Sequence, residues 1–96
     1  MIEMNLFIKG NNMNQTEHIE IAINTIQLYW GKKRFDNFEP IDKKVLVGKE
    51  LKAMIADLEN NWIPYATSNQ DLKSFVATVK QIKKEYTLLF DDNFTI

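Results

Sequence analysis

SNQDLKSFVATVKQIKKEYTLLF, residues 68–90, decides how the rest of the chain is read. Leu72, Phe75, Val76, Val79, Ile82, Tyr86 and Leu89 recur at helical intervals, so one face of a helix is apolar. Lys73, Lys80, Lys83 and Lys84 fall mostly off that face. Ser68 stands three residues before Asp71, as in a capping box with Asp in the Glu/Gln position. Asp91-Asp92-Asn93 stops the pattern, and Phe94-Thr95-Ile96 follows as an apolar tail. Phe75, Val79 and Ile82, at the centre of the stripe, are expected in the core.

Upstream, Val47, Leu51, Met54, Ile55, Leu58 and Trp62 make a second stripe. Asp42 is available to cap it. Gly48 weakens its first turn by roughly 1 kcal/mol relative to alanine, so the helix is expected to begin nearer Gly48. Asn60-Asn61 should end it, and Pro64 should force Ile63 out of the helical region.

Residues 16–30 admit two readings. Thr16 suits a helix N-cap, with Glu17 and Glu20 in the first turn, and Ile19, Ala22, Ile23, Ile26 and Trp30 form a helical stripe. The same stretch alternates, Ile19-Ile21-Ile23 and Ile26-Leu28-Trp30, and is rich in β-branched residues. No turn residue separates the two halves, which favours helix. Gly31 and Lys32-Lys33-Arg34 suit its end, and residues 31–42 then read as a connection. Ile2, Met4, Leu6 and Ile8 alternate ahead of the turn signal Gly10-Asn11-Asn12. Residues 1–13 are therefore a short strand or a flexible arm.

The expected fold is mainly α: one domain, 1–96, with helices at about 16–30, 45–60 and 69–90 closing into a small three-helix bundle behind an N-terminal strand or arm. The alternative is α+β, with a small N-terminal sheet. Hydrophobic residues are 45% of the 96 and charged residues 26%, which suits a folded chain rather than a disordered one.

Composition narrows function by class. Twelve basic and 13 acidic residues give a formal net charge of −1, so nothing global draws the chain to phosphate backbones or anionic lipid. It has no cysteine, hence no disulfide, thiolate or zinc–sulfur chemistry. No run approaches the ~20 apolar residues of a membrane span. With an N-terminal apolar stretch too short for a signal peptide, a cytoplasmic location without membrane association is expected.

Catalytic patterns are missing. His18 is the sole histidine, without the partners of a triad or a zinc site, and is expected on the surface. Asp91, Asp92 and Asn93 lack the spacing of a calcium loop. There is neither a G-x-G-x-x-G nor a P-loop. Neither cofactor, metal nor catalytic residue is assigned.

Two features point to binding. Lys32, Lys33, Arg34, Lys43 and Lys44 cluster beside Phe35 and Phe38, a composition that holds nucleic acid in some proteins. A solvated helix terminus explains the same residues more simply. A helix-turn-helix fits poorly, because the start of the last helix is Asn69-Gln70-Asp71 and its lysines lie at the far end. Aromatics, by contrast, gather at helix ends. Aromatics so placed more often plug the ends of a small bundle than face a partner. Trp62, Tyr65, Phe35 and Phe38 are the candidate partner-binding residues, with Pro64 stiffening the turn that carries the first two.

The leading expectation is a small protein-binding module that inhibits or regulates another protein, in the manner of an immunity, antitoxin or phage-encoded inhibitor protein. The alternative is a weak nucleic-acid-associated protein using the basic residues. An enzyme of unfamiliar type comes third. A seam between helices leaves room for a homodimer.

Overall fold

The computed structural model describes residues 15–96, which form helices and turns without a strand. The expected strand or arm at residues 1–13 lies outside the described residues. Helix α1 spans Glu17–Trp30, α2 Lys32–Asp36, α3 Pro40–Asp57 and α4 Asn69–Leu89. Three long helices pack on one another, and the short α2 closes one end. The chain is therefore mainly α, a small helical bundle, and residues 19–23 and 26–30 are helix rather than strand.

The core forms where the stripes meet. Ile19, Ala22 and Ile26 of α1, Val47 and Leu51 of α3, and Ile82 and Leu89 of α4 are buried together with Phe35 of α2. Phe94 and Ile96 pack against this cluster, so the apolar tail covers the bundle. The α4 stripe is buried in its C-terminal half. Val79 and Ile82 are core as expected, Phe75 is only half-buried, and Leu72 is exposed. The bundle opens toward the start of α4, leaving those two side chains at its edge.

Helix boundaries differ from expectation before α3 and at both of its ends. Residues 31–42 are not a plain connection. Gly31 takes φ 91°, a left-handed conformation that costs glycine no steric penalty. This turns the chain straight into α2, whose single turn lets Phe35 reach the core. Next, α3 begins at Pro40, which fits the first helical turn because its missing N–H would have no partner there. Glu39, not Asp42, holds the cap position, and Asp42 lies in the first turn.

Gly48 does not delay the helix either, because its missing side chain has a packing use. A Cβ there would lie 3.1 Å from the Phe90 ring and 3.2 Å from the Tyr86 ring. Glycine lets α3 approach these two aromatics of the α4 segment, and tertiary contact outweighs its poor helix propensity.

At the other end of α3 the asparagines do not stop the helix. The chain widens into a π turn over Leu58–Trp62, where the Ile63 N–H reaches back to the Leu58 carbonyl. It then tightens into a 3₁₀ turn over Ile63–Tyr65. Ile63 keeps helical angles, φ −59° and ψ −46°, despite the following proline. The deviation falls on Trp62, with φ −121°. A residue before proline disfavours the helical region without being barred from it. Here Pro64 sits in the first turn of a new 3₁₀ segment, where its missing N–H is tolerated.

Candidate protein-binding surface

The π turn and the 3₁₀ turn make a shoulder at the edge of the bundle, and Asp57 ties it. One carboxylate oxygen, Oδ1, accepts from Asn61 Nδ2 at 2.8 Å. The other accepts from Trp62 Nε1 at 3.0 Å. The Trp62 ring meets Phe75 edge-on, with centroids 5.8 Å apart and planes at 63°. Trp62 is thus held by a hydrogen bond and by a ring contact from α4, yet it remains 51% exposed. Tyr65, one residue past Pro64, is 74% exposed.

The segment that carries the shoulder is acidic along the sequence. Between Lys52 and Lys73 the sequence carries Asp57, Glu59 and Asp71 and no basic residue. Ser68 closes the segment, accepting from the Asp71 N–H at 3.1 Å as the capping reading requires.

Phe35 and Phe38 do not join this surface. Phe35 is 1% exposed and serves as core, so it is withdrawn from the partner-facing set. Phe38 is half-buried between Phe35 and Trp30, with centroids 6.2 and 5.8 Å away. Of the two readings open for aromatics at helix ends, core and interface, Phe35 takes the first because α2 turns it inward.

The same burial bears on the basic cluster. Phe35 offers no face on which a base could stack. Most of the cations also have partners within the chain. Lys32 pairs with Asp36 at 2.9 Å. Arg34 lies over the Trp30 ring and Lys43 over the Phe35 ring, 5.0 and 5.7 Å from the centroids. Lys44 Nζ donates to the Asp91 carbonyl at 3.1 Å, beyond the end of α4. Asp36, Glu39 and Asp42 are interleaved with the five bases and dilute their field.

His18 is not a surface histidine. Its side chain is 16% exposed, and Nδ1 lies 2.8 Å from Oε2 of Glu85, whose side chain is fully buried. Glu85 Oε1 accepts the backbone N–H groups of His18 at 2.7 Å and Ile19 at 2.9 Å. These are the second and third residues of α1, the donors that an N-cap side chain ordinarily satisfies. Thr16 holds the cap position without capping, and its hydroxyl donates to Glu20 instead. Gln81 Nε2 adds a fourth donor to Glu85, at 3.0 Å from Oε2. Three of these hydrogen bonds join α1 to α4, and the one from Gln81 lies within α4. Among the described residues, no group of three or more His, Cys, Asp or Glu is placed to hold a metal ion, and no helix is long and apolar enough to cross a membrane.

A second exposed apolar region lies on α1. Leu28 and Tyr29 are 89% and 85% exposed beside a groove that runs between α1 and α3. Neither belongs to the buried stripe, and two large apolar residues off the stripe of an amphipathic helix are the signal that marks them in the sequence. Comparison with protein-family models, with curated proteins and with solved structures finds no match to this chain.

Proposed function

We propose that the chain is a small protein-binding module whose partner seats on the Trp62–Tyr65 shoulder. The observation that carries this reading is the combination of exposure and fixation. Tyr65 projects from a turn stiffened by Pro64, next to an indole held by Asp57 and Phe75. Ordering a rotamer-rich side chain at an interface costs roughly 0.5–1.5 kcal/mol, and a side chain already in place avoids most of that. Trp and Tyr are also the types that most often dominate binding energy. The acids of the segment, Asp57, Glu59 and Asp71, favour a partner with a basic rim.

Acting by occupation suits an inhibitor or regulator of another protein. The carboxylate–imidazole pair that the fold does form, Glu85 with His18, is spent on holding α1, which supports binding rather than catalysis as the use of the surface.

The experiment is capture from the source cell on immobilised full-length chain, with and without nuclease, alongside the Tyr65→Ala variant. A protein that survives nuclease and is lost on Tyr65→Ala is the expected result. A partner released by nuclease would transfer the reading to nucleic acid. A protein held equally by both forms would place its seat away from the shoulder.

A further inference from the structure

The outer side of α1 carries exposed apolar side chains as well as its buried stripe. Ile21 and Leu28 lie seven residues apart, hence one above the other, on the side away from the buried Ile19, Ala22 and Ile26. Glu17, Asn24 and Thr25 share that outer side, so what marks it is two large apolar side chains set among polar ones. Beside Leu28 and Tyr29 runs a groove of roughly 580 Å³, lined by Thr25, Ile26, Trp30 and Leu46 and edged by Lys49 and Glu50 of α3. It continues past Trp30 and Leu46 toward Val45, which is exposed, as is Ile41 one turn earlier on α3.

We propose that this face binds a second copy of the chain about a two-fold axis. The proposal uses a different surface from the shoulder and stands independently of it. Three properties of the face fit a copy of itself. Leu28 and Tyr29, both largely exposed, form one wall of the groove, so a two-fold axis can lay that wall of each copy in the groove of the other. Lys49 and Glu50 put one cation and one anion on the same edge, which the same operation brings opposite each other. The area also fits. Leu28, Tyr29 and Trp30, which line the groove, with the exposed part of Val45 at its continuation, present on the order of 500 Å² of apolar surface, within the range that monomers leave bare. A standard interface takes about 800 Å² per partner, and in homodimers about 65% of that is apolar, roughly 500 Å².

The test is the mass of the full chain in solution by sedimentation equilibrium, from low to high micromolar concentration. The expected result is twice the 11.3 kDa of one chain. Leu28→Asp should weaken association at least about a hundredfold, because the two-fold makes each interface bury two unpaired carboxylates. Since Leu28 is almost wholly exposed, that variant keeps its helical circular dichroism and melting temperature. Tyr65→Ala should associate as the wild type does. A monomer at every concentration would overturn the proposal, as when residues 1–14 or a different protein fill the groove. So would a dimer that survives Leu28→Asp or is lost on Tyr65→Ala, since either puts the contact elsewhere.

Discussion

Glu85 Oε1 lies 2.9 Å from the backbone nitrogen of Ile19, 66 residues earlier in the chain. The first turn of α1 is therefore capped not by its own N-terminal residue but by a carboxylate from the far end of the fold. This makes the start of α1 depend on the docking of α4. A helix N-terminus also favours a negative group, so the tie acts through the helix dipole as well as through hydrogen bonds.

Glu85→Ala leaves two backbone donors and the His18 ring without their acceptor in a largely dry site. The expected cost is about 3 kcal/mol, a fall in melting temperature of more than about 10 °C for a domain of this size. Glu85→Gln keeps one acceptor but turns an NH₂ group toward donors, and should cost about 1.5–2 kcal/mol. His18→Ala removes one of the four hydrogen bonds and spares the backbone pair, so about 1 kcal/mol is expected. Thermal melts of the three should fall in that order, Ala at position 85 lowest. Wild-type melting by Glu85→Ala would show that the cap is not what holds α1.

Gly48→Ala sets two effects of similar size against each other. Alanine gains about 0.8–1.0 kcal/mol of helix propensity, while its Cβ presses on Phe90 and Tyr86. Phe90 is partly exposed and can shift by the few tenths of an ångström required. Urea unfolding should therefore place Gly48→Ala within about 0.5 kcal/mol of wild type, whereas Gly48→Leu, which cannot be absorbed, should lose about 1–3 kcal/mol. Equal stability of the two variants would mean that α3 and α4 do not approach as described.

Phe75→Ala tests the open end of the bundle. Deleting a fully buried aromatic costs about 3–5 kcal/mol, but Phe75 is half-buried, and about 2 kcal/mol is expected. Leu51→Ala, at a site with no exposure, should cost more. Because Phe75 supports the Trp62 ring, the indole emission of Phe75→Ala should shift and broaden before unfolding begins. An unchanged Trp62 signal would contradict the ring contact.

How far the sequence could be read is clearest in α4. Its stripe and its Ser68 cap were legible because both depend on spacing alone. Glu85 was not singled out, although it stands three residues after Ile82 and four before Leu89, a core-facing position for a charged residue. What gives it meaning is a pair of N–H groups 66 and 67 residues away, and no local pattern carries that. Phe35 misled for a similar reason, since a basic run hides the one-turn helix that directs it inward. The exposure of Tyr65 was readable from Pro64, whereas Trp62 continues the apolar stripe of Val47, Leu51 and Leu58 and its exposure was not. The Asp57 tie and the π turn were not, because they arise from how the chain rejoins α4.

Tyr65→Ala should leave the fold alone and change binding. With the side chain mostly in water, its melting temperature is expected within a few degrees of wild type, as for surface substitutions that shift stability by no more than about 0.5 kcal/mol. Affinity for the captured partner should weaken by more than about 1 kcal/mol, roughly fivefold. Titration calorimetry of both forms against that partner measures the difference.

The most direct measurement of the central claim is backbone amide exchange of the chain, free and bound to its captured partner. The shoulder reading predicts new protection concentrated over residues 58–66, with the start of α4 as its fringe and α2 unchanged. Protection confined to α2 and the first turns of α3, around Lys32 to Lys44, would contradict it and move the binding surface to the basic end of the bundle.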